Sequence, residues 1–567
     1  MIARADALAA LARDEFDLVV VGGGITGAGC ALDAASRGYS VALVERHDYA
    51  SGTSSRSSKL VHGGLRYLQN FDLGLVREAL LERQLMVALA PHLVRPLPLI
   101  VAAFDGARPD RLMGMGLNLY DVMSVDKIRG PFRRRRGEEE DGGLRGMESW
   151  APDRHRIIGG EEVAEMLPAL AARNPSSGYL FYDCQTDDVR LVLTVLGEAE
   201  RFGAVCANGV EVTELTPDGV LARDAATGET FSIRAANVIN ATGVWADRLR
   251  PEELHDEAEV PVIRPSRGTH LTFRYEDLPI DVGAIVPAGG GRTIFALPWL
   301  GSTLVGTTDN DFDTDELDHV APAGEDVAYL LEAVNGFFGS ALGAGDITGA
   351  FAGVRPLIST GDTGKSVDIS RKAELYETSS GMITITGGKL TTWRRMAKMA
   401  VDRLVEREAR DAPCRTHELP LGHAVEPETL PRVEGVRDDA YAMLAGRYAH
   451  AAHDVLGIAA ERGELAQPIV DGRPDLLAEA VHAARHEQAR TVGDVLLRRT
   501  RLGLLAAREL TAPDGAAARR VAQAMAADRG WDDDAVEAEV QAFREEARLE
   551  GLVVGAEGAP STVLADV

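Results

Sequence analysis

The stretch Phe16–Gly29, FDLVVVGGGITGAG, constrains the fold more than any other in the chain. Asp17–Val21 is a short apolar run rich in β-branched valine, the pattern of a parallel strand buried on both faces. Gly22, Gly24 and Gly27 then set out G-x-G-x-x-G at the turn into a helix. In that motif Gly22 permits the tight turn, Gly24 removes the side chain that would block a pyrophosphate, and Gly27 lets helix and strand pack closely. The helix N-terminus offers free N–H groups and a partial positive charge to phosphates. A lone G-x-G-x-x-G is a weak signal, and context strengthens this one. A second strand, Ser40–Val44, ends on Glu45, near the offset at which an acid takes ribose hydroxyls. An acid there suits an unphosphorylated adenosine ribose, as in FAD or NAD, and argues against NADP. The plainer alternative is a glycine-rich strand–helix turn with no ligand.

Composition limits the rest. A chain of 567 residues suits two or three domains and can bury a large core. The net charge of −27 excludes a general field that would attract nucleic acid, so any anionic small substrate must meet a local cluster of arginine and lysine. Cys30, Cys184, Cys206 and Cys414 lie far apart and form no C-x-x-C pair, which predicts a reduced, cytoplasmic setting. Met1–Arg13 lacks the basic start and apolar core of a signal peptide. No window approaches the roughly 18 uninterrupted apolar residues of a membrane span, so any membrane contact is expected to be peripheral. His62, His270, His417 and His423 show no zinc spacing, and no metal is expected. No G-x-S-x-G appears, so a nucleophile-elbow hydrolase is unsupported.

After Glu45, Ser51–Ser58 is crowded with Ser, Thr and Gly, the composition of a loop whose hydroxyls and N–H groups bond to something. Lys59, His62, Gly63, Gly64, Arg66 and Tyr67 follow closely. The bland reading is a solvated linker, but a polar loop after a nucleotide-binding βαβ unit lies near the pyrophosphate and the ring system. The whole segment Gly52–Leu68, GTSSRSSKLVHGGLRYL, resembles the signature of FAD-dependent glycerol-3-phosphate dehydrogenases, the respiratory, membrane-associated branch of the D-amino-acid-oxidase-like flavoproteins. Further stretches carry the same resemblance. Ala241–Asp247, ATGVWAD, is similar to the second nucleotide-facing turn of that superfamily, where Thr242 and Gly243 let backbone approach FAD. Gly387–Arg394, GGKLTTWR, opens another strand-to-helix turn, whose dipole could stabilise negative charge on a reduced ring. His486–Leu505 resembles the family's C-terminal helical domain.

The resemblance, with the pattern of elements, predicts an α/β protein. It combines a Rossmann-like FAD-binding domain, an interleaved antiparallel-sheet substrate domain of α+β type, and a C-terminal all-helical domain. The FAD domain is expected in segments 1–95, 186–261 and 347–411. A substrate or cap insertion is placed at 96–185, the substrate-binding sheet at 262–346, the helical domain at 412–555 and a disordered tail at 556–567. Among shorter elements, Ala204–Leu215 reads as one strand and Leu502–Leu510 as one helix. Arg111–Met123 is apolar, and a basic run, Arg133–Arg136, and an acidic run, Glu138–Asp141, follow it. That segment is read either as a solvated insertion or as a patch lying on anionic lipid.

A flavin takes a hydride from a carbon bearing a hydroxyl only if the C–H faces the ring, a base takes the hydroxyl proton and the substrate is held still. Phosphate is best held by arginine forks and lysine. Arg66, Arg355, Arg371 and Lys389 each sit in or beside glycine-rich or apolar stretches, where an unpaired charge is costly. Each alone reads more simply as a structural ion pair. The resemblance implies that all four contact a three-carbon phosphate, with Tyr67 and His270 near its C2 hydroxyl. His270 is the preferred base, and Arg355 and Arg66 complete the expected catalytic set. The residues expected to hold FAD are Gly22, Gly24, Gly27, Glu45, Thr53, Ser54, Ser58, Lys59, His62, Gly63, Gly64, Val212, Thr242, Gly243, Gly388, Lys389, Leu390 and Thr391. One departure from the family pattern follows Arg371, where this chain reads Lys372-Ala373-Glu374. The implied reaction is oxidation of sn-glycerol 3-phosphate to dihydroxyacetone phosphate, with electrons passing to a membrane quinone at the inner face of the cell membrane. An oxidase of the same substrate that reduces oxygen is the nearest alternative, and a non-catalytic flavin-binding protein a remote one. A homodimer built on the helical domain is open.

Overall fold

The computed structural model describes residues 1–64, 72–106, 111–124, 154–249, 262–312, 314, 316–359, 373–378 and 380–555. Arg66, Tyr67, Arg371, both charge runs and the tail lie outside the described residues.

Two sheets organise the chain. The first has eight strands, with the path Ala373–Glu377, Ile383–Gly387, Thr230–Asn240, Glu15–Val21, Val41–Glu45 and Val205–Asn208. Its centre is parallel: Glu15–Val21 pairs in parallel with both Thr230–Asn240 and Val41–Glu45. The valine-rich run is therefore a central strand, and Leu18, Val19 and Val20 are fully buried. Helix Ile25–Ser36 connects the first two strands and packs against helices Asp188–Arg201 and Trp393–Arg407. Gly29 makes one of those contacts possible, because a Cβ there would lie 2.7 Å from the Trp393 ring.

The second sheet has ten strands and is antiparallel at every pairing except Gly283–Pro287 with Arg95–Ala103. Strand Ile347–Ser359, expected in the FAD domain, instead pairs along its length with Val262–Arg274 in this sheet. Its partner supplies the matching length, which the local sequence does not show. The result sets His270 and Arg355 on neighbouring strands. The Leu60–Val61 strand also joins this sheet, through Ser177–Gln185, so the signature segment passes from one sheet to the other.

Ala204–Leu215 proves to be two strands, Val205–Asn208 and Val210–Thr216, broken at Gly209 with φ +64°. A Cβ there would meet the Arg490 guanidinium at 2.1 Å, so the close approach of a distant side chain also requires glycine at the break. Leu502–Leu510 is two short helices, Leu502–Leu505 and Ala507–Leu510. The helical C-terminal unit does not have a core of its own. Leu444, Val481 and Phe543 belong to one cluster with Phe181, Trp299 and Phe351 of the second sheet.

Candidate active site

The glycine turn takes the shape its spacing demands. Gly22 adopts φ +112°, and a Cβ there would sit 2.7 Å from the Ala241 carbonyl oxygen. A Cβ on Gly27 would come 1.9 Å from the Gly22 carbonyl oxygen, so glycine alone lets the helix approach the strand. Gly24 caps helix Ile25–Ser36, and Ile25 donates its backbone N–H to Ser54 Oγ at 3.0 Å. The Glu45 carboxylate accepts from the Gly23 and His47 backbone N–H groups at 2.7 and 2.8 Å. Burial pushes the Glu45 carboxyl up, and those two donors oppose the shift.

Gly22, Gly24, Ile25, Glu45, His47 and Ser54 line a cavity of about 570 Å³, a volume suited to a cofactor and a small substrate. Thr53, Val212, Thr242 and Gly243 join Gly22, Gly24, Glu45 and Ser54 in its wall. Ser58, His62, His270, Arg355, Gly388, Lys389, Leu390 and Thr391 also line it. Several are tied across the two sheets. Thr53 Oγ1 donates to the Val354 carbonyl at 2.6 Å, and Thr391 Oγ1 both accepts from His62 N–H at 3.1 Å and donates to the His62 carbonyl at 3.2 Å. Gly388, at φ +70°, lets the turn before helix Trp393–Arg407 pass over Met396, whose sulfur would lie 2.3 Å from a Cβ.

Four of the expected contacts play other parts. Gly27 lies behind the turn. Lys59 does not line the cavity: its ammonium is fully buried, donating to Asp188 at 2.7 Å and to the Ser55 carbonyl at 2.6 Å. Gly63 gives its N–H to Tyr120 Oη at 2.9 Å, and a Cβ on it would meet the Leu80 side chain at 2.5 Å. Gly64, at φ +78°, follows the Leu60–Val61 strand and is not among the lining residues.

His270 and Arg355 converge. His270 is 2% exposed and stacks on Phe351, with ring centroids 4.8 Å apart and planes 8° from parallel. Its Nε2 lies 2.8 Å from Ser58 Oγ. Burial, then the charges of Lys59 and Arg355, hold its pKa well below the usual imidazole range, so the ring is neutral. Arg355 donates to Thr307 Oγ1 at 3.2 Å and the Thr308 carbonyl at 3.1 Å, and pairs with Asp309 at 3.3 Å. Its guanidinium lies over Gly268, where a Cβ would be 2.4 Å away. Gly268, Asp309 and Trp245 were not singled out from the sequence, although Asp309 lies in the stretch Gly306–Asp313, GTTDNDFD, which reads as a polar turn.

The residues fit a dinucleotide flavin. Glycine backbone and a helix N-terminus face the cavity where a pyrophosphate belongs. Trp245 Nε1 and His270 Nδ1, both on lining residues, are buried and find no hydrogen-bond partner among the described residues. Orphaned atoms of this kind are expected where a ligand completes the bonding.

Comparison with known proteins agrees. The family of FAD dependent oxidoreductases matches residues 17–403, and the C-terminal domain of alpha-glycerophosphate oxidase matches residues 384–536. Glycerol-3-phosphate dehydrogenase 1 of Mycobacterium tuberculosis is 38% identical over 515 residues, covering 88% of this chain and 94% of its own. Glycerol-3-phosphate dehydrogenase 2 of the same species is 35% identical over 578 residues, covering 100% of this chain and 93% of its own. The crystal structure of the glycerol-3-phosphate dehydrogenase from Bacillus halodurans complexed with FAD superposes with a TM-score of 0.74 at 28% identity, covering 97% of both chains. The chain is an FAD-dependent oxidoreductase of the D-amino-acid-oxidase-like superfamily and belongs to the family of FAD-dependent glycerol-3-phosphate dehydrogenases.

Proposed function

We propose that the protein oxidises sn-glycerol 3-phosphate at C2 to dihydroxyacetone phosphate and passes the electrons to a membrane quinone. The observation that carries this reading is the meeting, in one cavity wall, of a neutral imidazole, a guanidinium and a lysine beside a glycine turn: His270, Arg355 and Lys389 at Gly387–Gly388. The names of the matched relatives support the substrate. FAD, when bound, supplies the two-electron acceptor. A secondary alcohol gives up its C–H as hydride only as its O–H proton leaves, and neutral His270 takes that proton on a ring nitrogen. Arg355 stabilises the alkoxide that develops on the same oxygen. Lys389 and Arg355 hold the phosphate, and Arg66 and Arg371 join them by resemblance.

An anaerobic absorbance spectrum tests the reading. Glycerol 3-phosphate is expected to bleach the flavin band near ~450 nm while glycerol leaves it intact. A band that persists with both would sink the substrate assignment and leave the fold standing. Oxygen is the competing acceptor, favoured by the match of the C-terminal region to an oxidase domain. Hydrogen peroxide released in proportion to substrate would decide for it. Membrane contact is read as peripheral. No helix of the described residues is long and apolar enough to cross a membrane, and helix Arg111–Ser124 exposes Met115, Leu119 and Val122 at 69%, 40% and 69%.

A further inference from the structure

Ser58 meets His270 inside the cavity, and the group that holds Ser58 there comes from distant parts of the chain. The turn before strand Leu60–Val61 is tight, with Lys59 at φ +60°. One carboxylate organises it. Asp188 Oδ2 accepts from the Ser57 backbone N–H at 3.1 Å, the Ser57 hydroxyl at 2.7 Å and the Lys59 ammonium at 2.7 Å. Asp188 Oδ1 accepts from Val189 N–H at 3.0 Å and from Arg501 at 3.2 Å. Arg501 also donates to the Ser55 carbonyl at 2.7 Å, so it grips both ends of the arrangement. The side chains of Lys59, Asp188 and Arg501 are all 0% exposed.

A buried ionic set of this kind adds little net stability over apolar packing, whereas removing one member leaves a costly unpaired charge. What it supplies is geometry. Its two routes to His270 are short. One runs through the backbone from Ser57 to Ser58. The other crosses Phe351, whose ring has Lys59 Nζ at 5.0 Å and the His270 ring stacked on it.

We propose that Asp188 and Arg501 are positioning residues of the active site: the C-terminal helical unit, through Arg501, fixes the Ser57–Lys59 turn and thereby the Ser58–His270 contact that holds the imidazole in one orientation. The proposal rests on the preceding reading only in giving His270 the hydroxyl proton. Two cations share one carboxylate here, and burial together with Arg501 pushes the Lys59 ammonium down to about 7. The charges that face His270 are Lys59 from the turn and Arg355 from strand Ile347–Ser359. Strand Ser302–Gly306 presents the Gly306 backbone to it, with no charge. Asp187 lies 3.8 Å from Arg501 and completes the charged groups around the cluster.

The experiment uses FAD-loaded enzyme with 15N-labelled histidine. The His270 ring signals are identified by their loss in His270→Asn. Wild type is expected to show one neutral tautomer from about pH 5.5 to 8.5. Arg501→Met, with FAD retained, is expected to show a mixture of tautomers. Its maximal rate of flavin reduction by glycerol 3-phosphate should fall by about 10- to 100-fold, with the substrate concentration for half-saturation changed by less than about twofold. Combining it with Ser58→Ala should slow the enzyme no further than the worse single change, because both act through one contact. Arg501→Lys should restore part of the rate. If Arg501→Met does not fold, Ser57→Ala removes one of the Asp188 bonds to the turn and is judged by the same signals. Wild-type His270 signals in the variant that folds would overturn the proposal. A wild-type enzyme that glycerol 3-phosphate fails to reduce would overturn the substrate assignment instead, and the tautomer signals would still decide the positioning role.

Discussion

His270 shows how a single side chain acquires its role from its surroundings. On a strand of alternating residues it could equally be a filled core position, and its 2% exposure suits that. The Ser58 hydroxyl on Nε2 and the unpartnered Nδ1 give it a direction that a core residue lacks. The same burial has a consequence for stability. An unfolded histidine takes up a proton below about pH 6.5. Folded His270, with its pKa depressed by burial and by Lys59 and Arg355, does not. The unfolded chain therefore binds more protons as pH falls through that value, and the native state loses stability. His92 and His482, both held down to about 4 by burial, act with the same sign. His319, raised by Glu550, acts with the opposite sign. At about pH 5.5, one unit below the unfolded value, each depressed ring costs about 1 kcal/mol. The thermal midpoint of the FAD-loaded protein is expected to fall between about pH 7.5 and 5.5, and to fall less in His270→Gln. Equal falls in the two proteins would show that His270 is protonated in the native state.

At the scale of elements, the glycine turn and the helix it starts stand or fall together. Ala at Gly27 would drive its Cβ to within 1.9 Å of a backbone oxygen that cannot step aside. Helix Ile25–Ser36 would have to tilt away from the strand and from Trp393. Overpacking of this kind costs about 1–3 kcal/mol and moves backbone. Gly27→Ala is therefore expected to give folded protein that emerges from purification without flavin and recovers less than about a tenth of it on adding FAD. Full flavin retention would show that the turn tolerates the shift. This unit was legible in the sequence because its constraints are local: Gly22, Gly27 and Glu45 lie within one strand–helix–strand repeat. Strand Ile347–Ser359 was given to the FAD domain because its own residues do not reveal its partner. The break at Gly209 was missed because one glycine inside an apolar run does not reveal that it takes φ +64°. Arg501 was hardest to see. Arg498–Arg499–Thr500–Arg501 is buried against Glu487 and against Asp48 and Asp188, the last two of which lie far off in the chain. No periodicity reports ion pairs that close only when the domains meet.

For the whole molecule, charge and apolar surface point in different directions. A net charge of −27 repels the chain from anionic lipid at long range, so a general basic field does not drive docking. What the described surface offers instead is apolar. Met115, Leu119 and Val122 recur at helical spacing on helix Arg111–Ser124, and Ile157 is 62% exposed on strand Arg156–Gly159, which His155 ties to the helix through Asp121. Side chains of this size gain about 1–3 kcal/mol each on full burial. On the proposed peripheral reading, three or four of them would give an attachment that two charges would abolish. It should also resist salt, because apolar burial is not screened. The double variant Met115→Asp with Val122→Asp is expected to stop floating with lipid vesicles and to lose most of its activity toward quinone embedded in them. Its activity toward a water-soluble dye should stay within about twofold, since neither residue lines the cavity. A double variant that floats as wild type does would move the docking face elsewhere. Loss of dye activity together with flotation would instead tie helix Arg111–Ser124 to the chemistry, through the Tyr120 hydroxyl that bonds Gly63 beside the signature turn.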